Sequence, residues 1–151
     1  MTGPGQFERG TDGPRVILVG VDGSPTSMRA AAYAAGLARR QRSRLVAVYV
    51  AEPAPPMAGW VSGAVVAARD AAAEIDAELR RELAPAAERL GVQVEYRRVD
   101  GDPVTELSRI ADELPADALL VGASEQAGHR VIGSVAVRLV RIGRWPVTVV
   151  P

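Results

Sequence analysis

The chain has 151 residues, of which 48% are hydrophobic and 24% are charged. This composition is typical of one globular domain that folds without disulfides or bound metal. Eighteen basic residues balance eighteen acidic ones, so we expect neither nucleic acid nor an anionic membrane surface as a partner. With no cysteine and one histidine, the chain has no disulfide, no thiolate metal site and no histidine cluster for a metal.

Residues 1–14, MTGPGQFERGTDGP, contain four glycines and two prolines. This composition predicts a flexible tail ahead of one domain over 15–151. The tail has no positive cluster followed by an apolar stretch, so we do not expect a secretory signal. Since no apolar run approaches the ~20 residues of a membrane helix, we expect a cytoplasmic protein.

The domain begins with a continuous apolar run over 15–22, typical of a strand buried on both faces. In the Asp-Gly-Ser-Pro sequence that follows, Ser24 is placed to cap a helix and Pro25 fits the first helical position, which needs no amide donor. An Ala-rich helix is predicted over 26–40, and a second buried strand over 45–51.

A loop rich in proline and glycine is predicted over 52–63, as a flap with Met57 and Trp60 as its apolar anchors. An apolar stripe at helical spacing then extends over 68–90. Pro85 lies inside this pattern, removes one backbone donor and clashes with the preceding turn. We therefore expect a kink or a break there.

The second half of the chain continues the alternation of strands and helices. Residues 92–99 alternate in polarity, which indicates an edge strand, and Asp102 and Pro103 are placed to start the next helix. The remaining elements are a strand over 118–122, a helix over 134–142 and a strand over 146–150. This order predicts an α/β fold with a parallel sheet, right-handed crossovers and helices on both faces.

Ligands bind such sheets beyond the carboxyl ends of the strands, where the strand order reverses. The first and fourth strands, which end at Asp22 and Gly122, are the candidates because the sequence becomes rich in glycine there. Amides at the start of the helix after Gly133 and the Ser134 hydroxyl would attract a phosphate. In the alternative interpretation Gly122 ends a strand, Gly133 starts a helix and Ser134 caps it.

The charged residues in the loop after Gly122 have opposite effects on anion binding. His129 and Arg130 would favour an anion, whereas Glu125 would repel one unless it turned outward or shared a metal ion. Two like charges ~4 Å apart repel by about 4 kcal/mol at an effective dielectric constant of 20. A short loop also encloses little space, so a nucleotide with few phosphates is the easier ligand.

The segments VGVDGSPTSMRAAAYAAGLA, VAVYV and VGAS…GSVAVRLVRIGRWPVTVVP resemble a universal stress protein domain over almost all of the chain. The resemblance implies a doubly wound sheet of five parallel strands in the order 3-2-1-4-5. Some members bind ATP through a Gly-x2-Gly-x9-Gly-(Ser/Thr) loop, and others lack the loop and do not. Gly122 and Gly133-Ser134 match this loop, but Glu125 replaces its second glycine and the loop is two residues shorter.

The resemblance implies an adenine-nucleotide site in which Asp22 lies beside the adenine, with Mg²⁺ as a further candidate. Its residues are Val21, Asp22, Val50, Gly122, Gly133, Ser134 and Val135. The alternatives are that Asp22 stabilises its own turn and that the valines are ordinary core.

Two functions follow from this interpretation. The first is a regulatory module that binds ATP, AMP or cyclic AMP, and the alternative is a dimeric interaction protein that binds no nucleotide. No catalytic residue, paired acid and base or metal-ligand cluster is recognisable, so we expect no enzyme beyond a slow nucleotide hydrolase. By resemblance, the short apolar strand over 147–150 joins two copies into a homodimer.

Overall fold

A computed structural model describes residues 14–126 and 129–151. The predicted tail lies outside these residues apart from Pro14. The strands are β1 (Val16–Gly20), β2 (Arg44–Ala51), β3 (Val94–Asp100), β4 (Ala118–Gly122), β5 (Ser124–Gln126), β6 (His129–Val131) and β7 (Val147–Val150). The helices are α1 (Pro25–Gln41), α2 (Ala64–Leu90), α3 (Pro103–Glu113) and α4 (Ser134–Ile142), with a short 3₁₀ helix at Pro56–Trp60.

Five parallel strands form one sheet in the order β3-β2-β1-β4-β7. The predicted order is confirmed, with β7 as the fifth strand along this sheet. The structure adds an antiparallel hairpin, β5 with β6, in which Ser124 pairs with Val131. The sequence pattern did not show it because strands of three residues are too short for a period-two signal.

The centre of the sheet is buried on both faces, as the apolar runs predict. Neighbouring residues of β1 point to opposite faces, so Val19 belongs to one core cluster and Leu18 to the other. The first cluster contains alanines of α1 and Leu79 of α2. The second contains Ile110 of α3 and Leu139 of α4. Helices therefore cover both faces.

The predicted helix starts at Ser24 and Asp102 are confirmed. The Ser24 hydroxyl accepts from the Ser27 amide at 3.2 Å, and the Asp102 carboxylate accepts from the Thr105 amide at 2.9 Å. Both bonds satisfy an amide that has no partner within the helix.

Helix α2 continues through Pro85 to Leu90, so the break that was one of the two expected outcomes does not occur. Pro85 removes one amide donor, and the other backbone hydrogen bonds of this 27-residue helix hold it together. No helix of the described ranges, α2 included, combines the length and apolarity needed to cross a membrane.

The prediction that Met57 and Trp60 anchor the loop after β2 is wrong. Their side chains are 74% and 87% exposed, and the 3₁₀ helix that carries them contacts α2.

Candidate functional site

A cavity of about 570 Å³ lies at the carboxyl ends of β1 and β4, where the strand order reverses. This volume is within the roughly 300–1,000 Å³ of small-molecule sites. The structure brings every residue of the predicted site to its wall: Val21, Asp22, Val50, Gly122, Gly133, Ser134 and Val135. The switch-point rule therefore located the cavity correctly.

The floor of the cavity is apolar. Val21 is buried, and its amide donates to the Val48 carbonyl at 2.9 Å, which holds the end of β1 against β2. Val50 follows on β2, and Leu107 of α3 closes the side. These side chains form an apolar part of the cavity wall.

Asp22 lies at the rim and takes part in the turn between β1 and α1. Its Oδ1 accepts from the Ser24 amide at 2.9 Å, while its own amide donates to the Ser27 hydroxyl at 3.2 Å. The local role considered for Asp22 is therefore present. The same exposed carboxylate also borders the cavity, so the two roles are compatible.

Three helices meet the cavity with their N-termini, where backbone amides lack partners. Two of them, α1 and α3, have side-chain caps. The third, α4, has Gly133 as its N-cap residue, which has no side chain to cap the helix. The interpretation of Ser134 as the cap is wrong, because Ser134 is already the first helical residue. The start of α4 therefore presents uncapped amides to the cavity, together with the positive end of the helix dipole.

Gly122 has a packing role that the sequence did not reveal. A Cβ atom at this position would lie 2.6 Å from both the Thr26 carbonyl carbon and the Ser27 nitrogen. The end of β4 thus contacts the backbone of α1 directly. Gly133 is similar, since a Cβ there would lie 3.0 Å from the Ser124 Cβ.

Glu125 does not fill the described cavity. Its Oε1 accepts from Nη2 of Arg29 on α1 at 3.1 Å, and both side chains are about half exposed (48% and 46%). Arg29 also donates from Nε to the Pro151 carbonyl at 3.0 Å. The ion pair joins the β5–β6 hairpin to α1 and to the residue after β7.

Several wall residues were not predicted from the sequence, among them Glu52, Thr26, Ser27 and Ser124. Glu52 and Ser124 follow the ends of β2 and β4, and Thr26 and Ser27 lie in the first turn of α1. Position after a strand or at a helix start was the available signal. The charges predicted for His129 and Arg130 belong to side chains outside the described part of the structure. Within the described part, no group of three or more histidine, aspartate or glutamate side chains is placed to hold a metal ion.

The fold is that of the open doubly wound α/β domains, with a cavity at the switch point of the sheet. Within this class, the model of the universal stress protein family matches residues 14–151. The chain belongs to the universal stress protein family.

Known relatives agree with this assignment. Universal stress protein MJ0531 of Methanocaldococcus jannaschii is 27% identical over 136 residues, which are 89% of this chain and 80% of the relative. Universal stress protein UspA from Lactobacillus plantarum shares the fold, with a TM-score of 0.77 and 24% identity over 91% of this chain and 97% of its own. A universal stress protein in complex with cAMP has a TM-score of 0.60 and is 27% identical, covering 91% and 96% of the two chains.

Proposed function

We propose that this universal stress protein is a regulatory module that binds an adenine nucleotide in the cavity between β1 and β4. The observation that carries the proposal is the uncapped N-terminus of α4, which opens onto the cavity while α1 and α3 are capped. Free amides at a helix N-terminus attract phosphate. The 27%-identical relative in complex with cAMP supports the choice of an adenine nucleotide.

Each part of the wall has a role in this proposal. The adenine ring covers Val21 and Val50, and the exposed carboxylate of Asp22 accepts a bond from the adenine amine or the ribose. The phosphate accepts from the amides of Ser134 and Val135 and from the Ser134 hydroxyl. If Mg²⁺ accompanies the nucleotide, its ligands come mainly from phosphate and water, as is usual for Mg²⁺.

The test is isothermal titration of the purified protein with ATP, AMP and cyclic AMP, with mass spectrometry of any nucleotide released on denaturation. Binding of at least one nucleotide below millimolar supports the proposal, and its absence for all three contradicts it.

A pair of variants separates the amide from the hydroxyl. Ser134→Pro removes both at the first helical position, where proline is well tolerated. Ser134→Ala removes the hydroxyl alone. We expect at least a tenfold loss of affinity, about 1.4 kcal/mol, in the proline variant and a smaller loss in the alanine variant. Equal affinity in the proline variant would place the phosphate elsewhere.

The proposal requires no catalysis. Occupancy alone changes the loops around the cavity, and the protein acts in the cytoplasm. Steady release of phosphate or AMP that Asp22→Ala abolishes would show an enzyme instead.

The second candidate is an interaction protein that acts as a homodimer without a nucleotide. Glu125 beside the phosphate-binding end and the uncharged edge strand β7 favour it. Purified protein that retains a nucleotide would exclude it.

A further inference from the structure

We infer that the cavity selects adenine nucleotides with a single phosphate group, AMP or cyclic AMP, over ATP, and that Glu125 is the residue that rejects the longer polyphosphate. This inference rests on the nucleotide site proposed above. It adds a selectivity and assigns it to one side chain.

The charges of the cavity wall are the first support. Asp22, Glu52 and Glu125 border the cavity, and no lysine, arginine or histidine is among the wall residues of the described part. Sites for nucleoside triphosphates balance their ligand's charge with cations or a metal ion. Of the three carboxylates, Glu125 is the one near the start of α4, so phosphates beyond the first approach a like charge there.

The position of Glu125 is the second support. Ser124 lies against Gly133, since a Cβ on that glycine would be 3.0 Å from the Ser124 Cβ. Glu125 is the next residue along β5 and also borders the cavity. A phosphate bound by the amides of α4 would therefore have the Glu125 carboxylate close by, on the β5–β6 hairpin. The first phosphate meets the helix dipole, and the second and third approach Glu125.

The bonds of Arg29 limit the size of the expected repulsion. Arg29 donates to Glu125 at 3.1 Å and to the Pro151 carbonyl at 3.0 Å. Both of these bonds go to acceptors within the protein. The pair with Glu125 is neutral as a unit, so it weakens the repulsion of a polyphosphate without reversing it.

The inference predicts an order of affinities that neither a simple anion site nor a simple apolar site would give. AMP or cyclic AMP binds more tightly than adenosine, because one phosphate gains the amides of α4. ATP binds about tenfold more weakly than AMP. The Glu125 carboxylate repels the two further phosphates, and solvent and salt screen part of this repulsion.

The experiment is isothermal titration of adenosine, AMP, cyclic AMP and ATP with EDTA present, using the wild type, Glu125→Gln and Glu113→Gln. Glutamine keeps the oxygen that accepts from Arg29 and removes the charge. Glu113 is the matched control, since it is a half-exposed, ion-paired glutamate on α3 that does not border the cavity. Circular dichroism and thermal melts confirm that the variants fold.

We expect Glu125→Gln to strengthen ATP binding about five- to tenfold and to change AMP binding less than about twofold, with no change in Glu113→Gln. Preference for AMP or for cyclic AMP then shows whether the single phosphate is a monoester or a diester. ATP binding as tightly as AMP in the wild type, or equal shifts for both in Glu125→Gln, would overturn the inference alone. No binding of any of the four ligands would overturn it together with the proposed site.

Discussion

At the scale of single residues, Gly122 shows that a glycine of the proposed phosphate loop also has a packing role. The backbone of α1 occupies the space that a Cβ would need. A loss of ligand binding in a Gly122 variant would therefore reflect a displaced α1 as much as a lost phosphate contact. The uncapped amides of α4 are the better probe of the ligand.

The substitution Gly122→Ala is expected to destabilise the protein by about 1–3 kcal/mol, since the new methyl group meets backbone atoms that cannot rotate away. Gly36→Ala is the matched control. Gly36 lies in the middle of α1 with nothing within 4 Å of a new Cβ, and alanine favours the helix by about 1 kcal/mol. Urea denaturation should show a lower free energy of unfolding for Gly122→Ala and a higher one for Gly36→Ala. A neutral Gly122→Ala would disprove the close approach of β4 and α1.

At the scale of elements, Asp102 connects two helices. Its carboxylate caps α3 by accepting from the amide and hydroxyl of Thr105 at 2.9 and 2.8 Å, and it pairs with Arg138 of α4 at 3.3 Å. The bonds from Thr105, and then Arg138, hold the pKa of Asp102 below its ordinary 3.8. A lowered carboxyl pKa means that the ionised form stabilises the fold.

Removal of this cap by Asp102→Ala should lower the free energy of unfolding by about 1 kcal/mol near neutral pH, and Asp102→Asn should lose less because asparagine also caps helices. The stabilisation by the carboxylate is complete above the unfolded pKa and is lost as pH falls through the lower folded pKa. The difference between wild type and Asp102→Ala should therefore be constant from pH 5 to 8 and shrink below 3.8. Urea titrations at several pH values measure it. A difference that grows on acidification would contradict this account.

Pro85 is the weak point of α2. It is exposed, so its ring contributes little packing, while the helix lacks the bond that its amide would have made. We expect Pro85→Ala to stabilise the protein by about 2 kcal/mol, after allowance for the greater freedom of the unfolded chain. Ala84→Gly, at the neighbouring exposed position, should destabilise by about 1 kcal/mol. Thermal unfolding compares the two, and a destabilised Pro85→Ala would show that the proline is needed.

At the scale of the whole molecule, the two edges of the sheet differ in charge. The edge strand β3 contains Glu95, Arg97 and Arg98, and charged side chains of this kind protect an edge from pairing with another chain. The other edge strand, β7, reads VTVV and has no charge. The molecule thus has one protected edge and one that is open to a partner.

We predict a homodimer joined at β7, seen by light scattering as about twice the chain mass of 15.9 kDa. The carbonyls of Pro146 and Val150 bond to β4, and backbone groups alternate sides along a strand, so those of Val149 point outward. Val149→Pro should remove one donor at the open edge, spare the ladder to β4 and shift the protein toward monomers. A wild type that is monomeric at micromolar concentration would contradict the prediction.

The sequence by itself determined the order of strands and helices, because apolar runs, caps and glycines act within a few residues of one another. The order of strands in the sheet came from the resemblance to the family. With that order, the switch-point rule placed Asp22 and Gly122 at one cavity. Only the tertiary structure decided what depends on distant residues: that Gly122 packs on α1 and that Glu125 pairs with Arg29. Partners so far apart in the chain meet only after the sheet has assembled, and no local pattern encodes their distances.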